Sequence, residues 1–261
     1  MNRVLPMIGA EFLKLRKRRG MLLTCLLLAV GVMVVVNAFL VAYHASNPAK
    51  YAPAGGVQGF TLSLQVFAFT ALLAAVIIGA TAGAQDVSSG VLRSLVVTGQ
   101  SRLKLGLVRI PGGLLVLLPI LALGYGLEVV VAFVFNDGRP TPDARMILTG
   151  AGWMAAVGVL NLTIALGLAA LLRSRGIAIG ILVTWSLAGS HMLGMVDAFG
   201  NWRALLSTSA TDRFLPGATD QVHVMGAVPV TMTVGLAIAV MLVWMTVWTA
   251  LGLFRTTTQD A

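Results

Sequence analysis

Residues 21–43 read MLLTCLLLAVGVMVVVNAFLVAY, an uncharged apolar run that decides the class of protein. A bilayer core asks for about 20 consecutive apolar residues in a helix, and this run meets that length. Residues 60–84, 110–135, 146–172, 176–196 and 225–254 form five more such blocks, and only the third holds a charge, Glu128. Helices pair every backbone polar group within one segment, as lipid demands. The blocks do not alternate polar and apolar residues as barrel strands do. The sequence therefore predicts an all-α integral membrane protein, with six transmembrane helices in a single domain over 1–261.

Composition agrees. Apolar residues make up 58% of the chain and charged residues 10%, against about 25% charged in soluble domains. The net charge of +9 does not point to nucleic acid, because the basic residues sit at the ends of the apolar blocks. Counting them predicts orientation. Arg3, Lys14, Arg16, Lys17, Arg18, Arg19, Arg93, Arg102, Lys104, Arg109, Arg173, Arg175 and Arg255 fall on one side. Lys50, Arg139, Arg145, Arg203 and Arg213 fall on the other. The positive-inside rule puts the first side, and both termini, in the cytoplasm. The first run is longer than the roughly 7–15 residues of a cleaved signal, so it is expected to remain as a span. Cys25 is the lone cysteine, so no intrachain disulfide forms.

Three segments lie between or before the blocks. Near the N-terminus, Ile8, Phe12 and Leu15 recur at helical spacing after Pro6, with Glu11, Lys14, Lys17 and Arg18 around the other faces. This pattern predicts an amphipathic helix in the membrane interface. In 85–109, Asp86 and Ser88 favour a helix start. Val87, Val91, Leu92 and Leu95 then share an apolar face, with Arg93 and Ser94 elsewhere, before Gly99, Ser101 and Arg102. A short amphipathic helix is expected here, suited to dock a cytoplasmic protein. In 197–224, Trp202, Leu205, Leu206 and Ser209 have helical spacing and Pro216-Gly217 ends the run, which predicts short outer helices.

Polar residues at membrane depth are costly and mark functional suspects. Glu128 sits in the outer third of its span, with His191 and Asn161 in the fifth and fourth blocks. These three are candidates for a transport path or gate, with His191 the expected partner of Glu128 by depth. The competing reading is ordinary helix–helix hydrogen bonding, worth about 0.6 kcal/mol on average. Gly79 with Gly83, and Gly176 with Gly180, form small-xxx-small pairs, and Pro119 should kink the third span. Catalytic constellations are missing. Ser190 and His191 are adjacent and point about 100° apart on a helix. No His-Glu-x-x-His occurs, and no Gly-Lys dipeptide, so there is no Walker A loop. No catalytic, metal or cofactor site is expected on this chain.

The basic EFLKLRKRRG at 11–20 before the first span, and GVLRSLVVTGQSRLKLGLVR at 90–109 between the second and third, carry a resemblance. Together with the short outer segment before the last span, they resemble the permease subunits of bacterial ABC (ATP-binding cassette) transporters of the type-2 export class. Gly90, Leu92 and Arg93 match the first half of that family's loop pattern, and Ser101 with Arg102 the second. Asp86 stands where an acidic residue is usual, while Thr98-Gly99-Gln100 replaces the usual proline step. The resemblance implies a permease in the bacterial plasma membrane that pairs with a second permease copy or homologue. It implies two separate ATPase subunits that carry ATP and Mg. It also implies a coupling helix at Asp86, Val87, Val91, Leu92, Arg93, Leu95 and Arg102. The alternatives from the residues alone are a secondary transporter or channel, and a membrane-embedded enzyme.

Overall fold

The computed structural model describes residues 4–88, 101–217, 221–222 and 230–258. Six helices are long and apolar enough to cross a membrane: Arg19–Ser46, Gly56–Ala84, Arg102–Val134, Ala144–Leu172, Arg175–Met195 and Val234–Thr258. They are called spans one to six below. A further helix, Val4–Arg16, precedes them. The chain is thus a helical, multi-pass membrane protein.

The second, third and fourth spans form the centre of the bundle, and the second packs most extensively on the fourth. That contact is set by Gly79 and Gly83. A Cβ on either would collide with the carbonyl oxygen of Leu162 or Leu166, while Ala165 and Ala169 fill the opposing surface. Small residues let the two backbones approach until dispersion contacts replace lipid. Gly252 of the sixth span meets Gly167 of the fourth in the same manner. By contrast nothing lies within 4 Å of Gly176 or Gly180 on the fifth span. The first, fifth and sixth spans are the outlying ones, with only 22%, 17% and 11% of their most apolar windows buried.

Several boundaries differ from the sequence reading, each for a local reason. The second-span helix runs on through Gly56–Ser88, so Asp86 and Ser88 lie within that helix rather than at the start of a new one. The third span begins at Arg102 and is broken at Val108 into Arg102–Leu107 and Arg109–Val134. Pro111 offers no N–H to the Leu107 carbonyl, which removes the bond that would have carried the helix through. Pro119 lies within the helix Arg109–Val134. The sixth span starts at Val234 rather than 225, because Thr233 Oγ1 accepts from Leu236 N and caps it. Just before it, Val230–Thr231 pairs antiparallel with Gln221–Val222, a ribbon that the apolar pattern concealed.

Two spans contain a wider turn. Leu27–Gly31 in the first and Trp185–Gly189 in the fifth are π-helical. Such turns accommodate one extra residue and are frequent near functional sites. The outer segment is the 3₁₀ helix Asp197–Leu205, kinked at Gly200 with φ of 46°, followed by Ser207–Asp212. Trp244 of the sixth span ties it down by donating Nε1–H to the Leu205 carbonyl at 2.8 Å.

Candidate functional site

Three spans bring polar groups together near the end of the bundle opposite the termini. Asn37 of the first span is buried among Cys25, Ala29 and Met33 on one stripe of that helix. Glu128 of the third span is 1% exposed, and Ser63 of the second 2%. Asn37 Nδ2–H donates to Glu128 Oε1 at 2.9 Å. The Ser63 hydroxyl faces the same carboxyl without completing a hydrogen bond of good geometry. Glu128 Oε2, Asn37 Oδ1 and Ser63 Oγ are all buried with no hydrogen-bond partner. One turn below, Gly124 leaves room for Phe67 and for the Ala29 carbonyl of the first span's π turn, so the walls of the cluster are apolar. Nearby Tyr125 takes no part, because its hydroxyl donates to the Ile147 carbonyl at 2.5 Å.

The structure thus gives Glu128 a different hydrogen-bond partner from the one depth suggested. His191 turns to its own helix, its Nδ1 lying 3.0 Å from the Ser186 carbonyl inside the fifth-span π turn. It also faces Asp212 of the outer segment. Asp212 is reached from outside yet walled by protein, and the loss of hydration pushes its carboxyl up to about 6, against a weaker downward pull from the His191 charge. Asn161, the third path candidate, donates Nδ2–H to Val157 O at 2.9 Å, one turn back on its own helix. Residue counting had no access to Asn37 as the partner of Glu128. Both residues were visible as polar positions, but only packing shows which helices touch.

At the terminal end of the bundle, Leu15 is buried and Phe12 packs against the main core, while Arg18 is half-buried just before the first span. Glu11, expected on a polar face, is instead buried beside Gly112 of the third span, and Lys14 Nζ reaches it at 2.8 Å. The helix therefore packs along the third span through Glu11 as well as Leu15, because Gly112 leaves space for the glutamate stem. Arg109 is buried and donates to Gly83 O at 3.3 Å. Arg102 is half-buried and donates to Thr257 O in the last turn of the sixth span at 3.4 Å. Of the coupling candidates, Asp86 and Val87 lie on the last turn of the second-span helix. Val91, Leu92, Arg93 and Leu95 lie outside the described residues.

Among the described residues no group of three or more His, Cys, Asp or Glu gathers as a metal site. Buried Cys25 contacts the Ala74 carbonyl, with Sγ at 3.9 Å. A lipid-facing groove of about 590 Å³ between the first and third spans is lined only by apolar residues and glycines, Leu27, Val30, Leu123 and Gly126 among them. Compared with protein-family models and with curated proteins, the sequence matches none.

Proposed function

We propose that this chain is the membrane-spanning permease subunit of an ATP-driven exporter of the type-2 ABC class, set in a bacterial plasma membrane with both termini in the cytoplasm. The observation that carries the reading is the segment 90–109, whose Gly90, Leu92, Arg93, Ser101 and Arg102 fall in the family's order between the second and third of six apolar spans. In this reading the helix before the first span is interfacial, and the segment 86–102 that joins the second and third spans is the coupling element. The short helices before the sixth span cap the outer side. The chain performs no bond chemistry. Separate ATPase subunits hold ATP and Mg, and a second permease copy or homologue completes the pathway. ATP-driven closure of the ATPases shifts the balance between inward- and outward-open states through differential contacts with the coupling helix.

The test is co-expression with the Walker-motif ATPase encoded beside this chain, followed by co-purification and vesicle ATPase assays. The wild type should copurify and raise ATP turnover. Leu95→Asp should insert normally yet lose both. A neighbourhood without such an ATPase, or a Leu95→Asp complex that assembles and turns over as the wild type does, sinks the reading.

A further inference from the structure

The three unpartnered oxygens around Glu128 do not close as a hydrogen-bond set when the carboxyl is ionised. A carboxylate only accepts, and an amide oxygen only accepts. With Asn37 Nδ2–H on Oε1, the remaining Glu128 Oε2 and Asn37 Oδ1 are both acceptors buried on the same pair of side chains, and the single hydrogen of the Ser63 hydroxyl beside the carboxyl can serve at most one of them. Exchanging the amide N and O of Asn37 does not help, because its oxygen then faces Oε1 and still lacks a donor. Among the described residues no ion pair involves Glu128. An uncompensated charge at this depth is costly.

One hydrogen ion completes the acid–amide pair. Placed on Oε2, it makes the acid a donor to Asn37 Oδ1 while Asn37 Nδ2–H donates to Oε1, a two-bond ring between acid and amide. We propose that Glu128 and Asn37 form a proton-binding site that fastens the first span to the third at the end of the bundle opposite the termini. Water supplies the proton and takes it back, and nothing else is consumed. Releasing it from the closed bundle would leave a bare carboxylate that is 1% exposed, so release goes together with separation of the two spans or entry of water. Ser63 is placed to stabilise the ionised form once water arrives. The inference rests on the geometry of the three spans and holds whether or not the chain is an exporter subunit.

The experiment uses the full chain in lipid nanodiscs. The infrared difference between wild type and Glu128→Gln should show the C=O stretch of a protonated carboxyl at pH 7. The band should shift when Asn37→Leu removes the amide. Glutamine reproduces the ring with its own N–H, so Glu128→Gln should fold and melt within a few degrees of the wild type, while Asn37→Leu should melt clearly lower. Absence of the band at pH 7, or failure of Glu128→Gln to fold, overturns the proposal. So does a melting point that follows Na⁺ at fixed pH and ionic strength, which would mark an alkali-cation site instead.

Discussion

His44 joins two loops at once: its Nδ1 lies 2.8 Å from the Tyr51 carbonyl oxygen and its Nε2 3.3 Å from Asp137 Oδ2. A carbonyl only accepts, so Nδ1 carries a hydrogen, and Nε2 faces a carboxylate that also only accepts. The same two loops are held by backbone bonds from Gly55 N to Phe135 O and from Val57 N to Pro140 O. Because Asp137 is largely exposed, Asp137→Ala should cost no more than about 1 kcal/mol, as surface pairs do. Hydrogen exchange should quicken at Tyr51 and its neighbours, with the rest of the bundle unchanged. A loss of several kcal/mol would mean that the ion pair, rather than the backbone bonds, holds the rim.

The glycine pairs separate two kinds of helix face. Gly83→Leu must displace the Leu166 backbone, so it should destabilise by about 3 kcal/mol or more and cut the yield of folded protein. Gly180→Leu meets nothing within 4 Å and should change monomer stability by no more than about 0.5 kcal/mol. Thermal unfolding in detergent distinguishes them, and equal effects would refute the helix pairing. In the exporter reading, the open fifth-span face is available to a second copy, and Gly180→Leu would then alter oligomer size alone.

Asp212 gives a pH dependence of unusual sign. Its folded carboxyl is pushed up to about 6 from an unfolded value near 3.8. The folded state therefore binds the proton more tightly than the unfolded one. The resulting stabilisation is complete below about 4 and is lost as pH rises through about 6. Asp212→Asn should remove that slope and melt higher than the wild type at pH 8. His191→Ala withdraws the opposing charge and should steepen the loss. Parallel melting curves for wild type and Asp212→Asn between pH 4 and 7 would contradict the assignment.

Orientation is testable with an impermeant thiol reagent on intact cells, in a Cys25→Ser background. Arg139→Cys lies in an exposed turn and should label from outside, whereas Arg18→Cys, Arg102→Cys and Arg173→Cys should be shielded until the cells are opened. Arg139 is preferred to Asp143, whose Oδ1 accepts from Met146 N at 2.7 Å and caps the fourth span. Labelling at Arg102→Cys in intact cells would reverse the proposed topology.

The six helices were legible because burial in lipid requires long uncharged runs, and such runs are hard to mistake. A close approach was legible at Gly79 and Gly83, but not which helix makes it. A Cβ on the equally glycine-rich Gly176 or Gly180 would meet nothing within 4 Å among the described residues, since a small-residue pair permits a close approach without specifying it. Glu128 stood out because it is the one charge in its run, yet its partner did not. Residue depth suggests His191, and only the packing of the first span against the third selects Asn37. The π turns left no mark in the sequence that composition or periodicity could detect. Glu11 was misplaced because a helical wheel assigns charge to the wet side, whereas Gly112 makes room for it inside.

The π turn at Leu27–Gly31 sets the phase of everything beyond it. Cys25, Ala29, Met33 and Asn37 are all buried, four residues apart each time. On an unbroken α-helix three such steps would drift by roughly 120°, at about 100° per residue, and carry Asn37 round toward the lipid. The residue accommodated by the wide turn cancels most of that rotation. Asn37 meets Glu128 because the first span carries an angular correction two turns earlier. Deleting one residue from 27–31 would let the wide turn relax to ordinary α geometry with Asn37 still aimed at the third span, whereas straightening that turn at full length would swing the whole outer half of the helix and turn Asn37 away from Glu128.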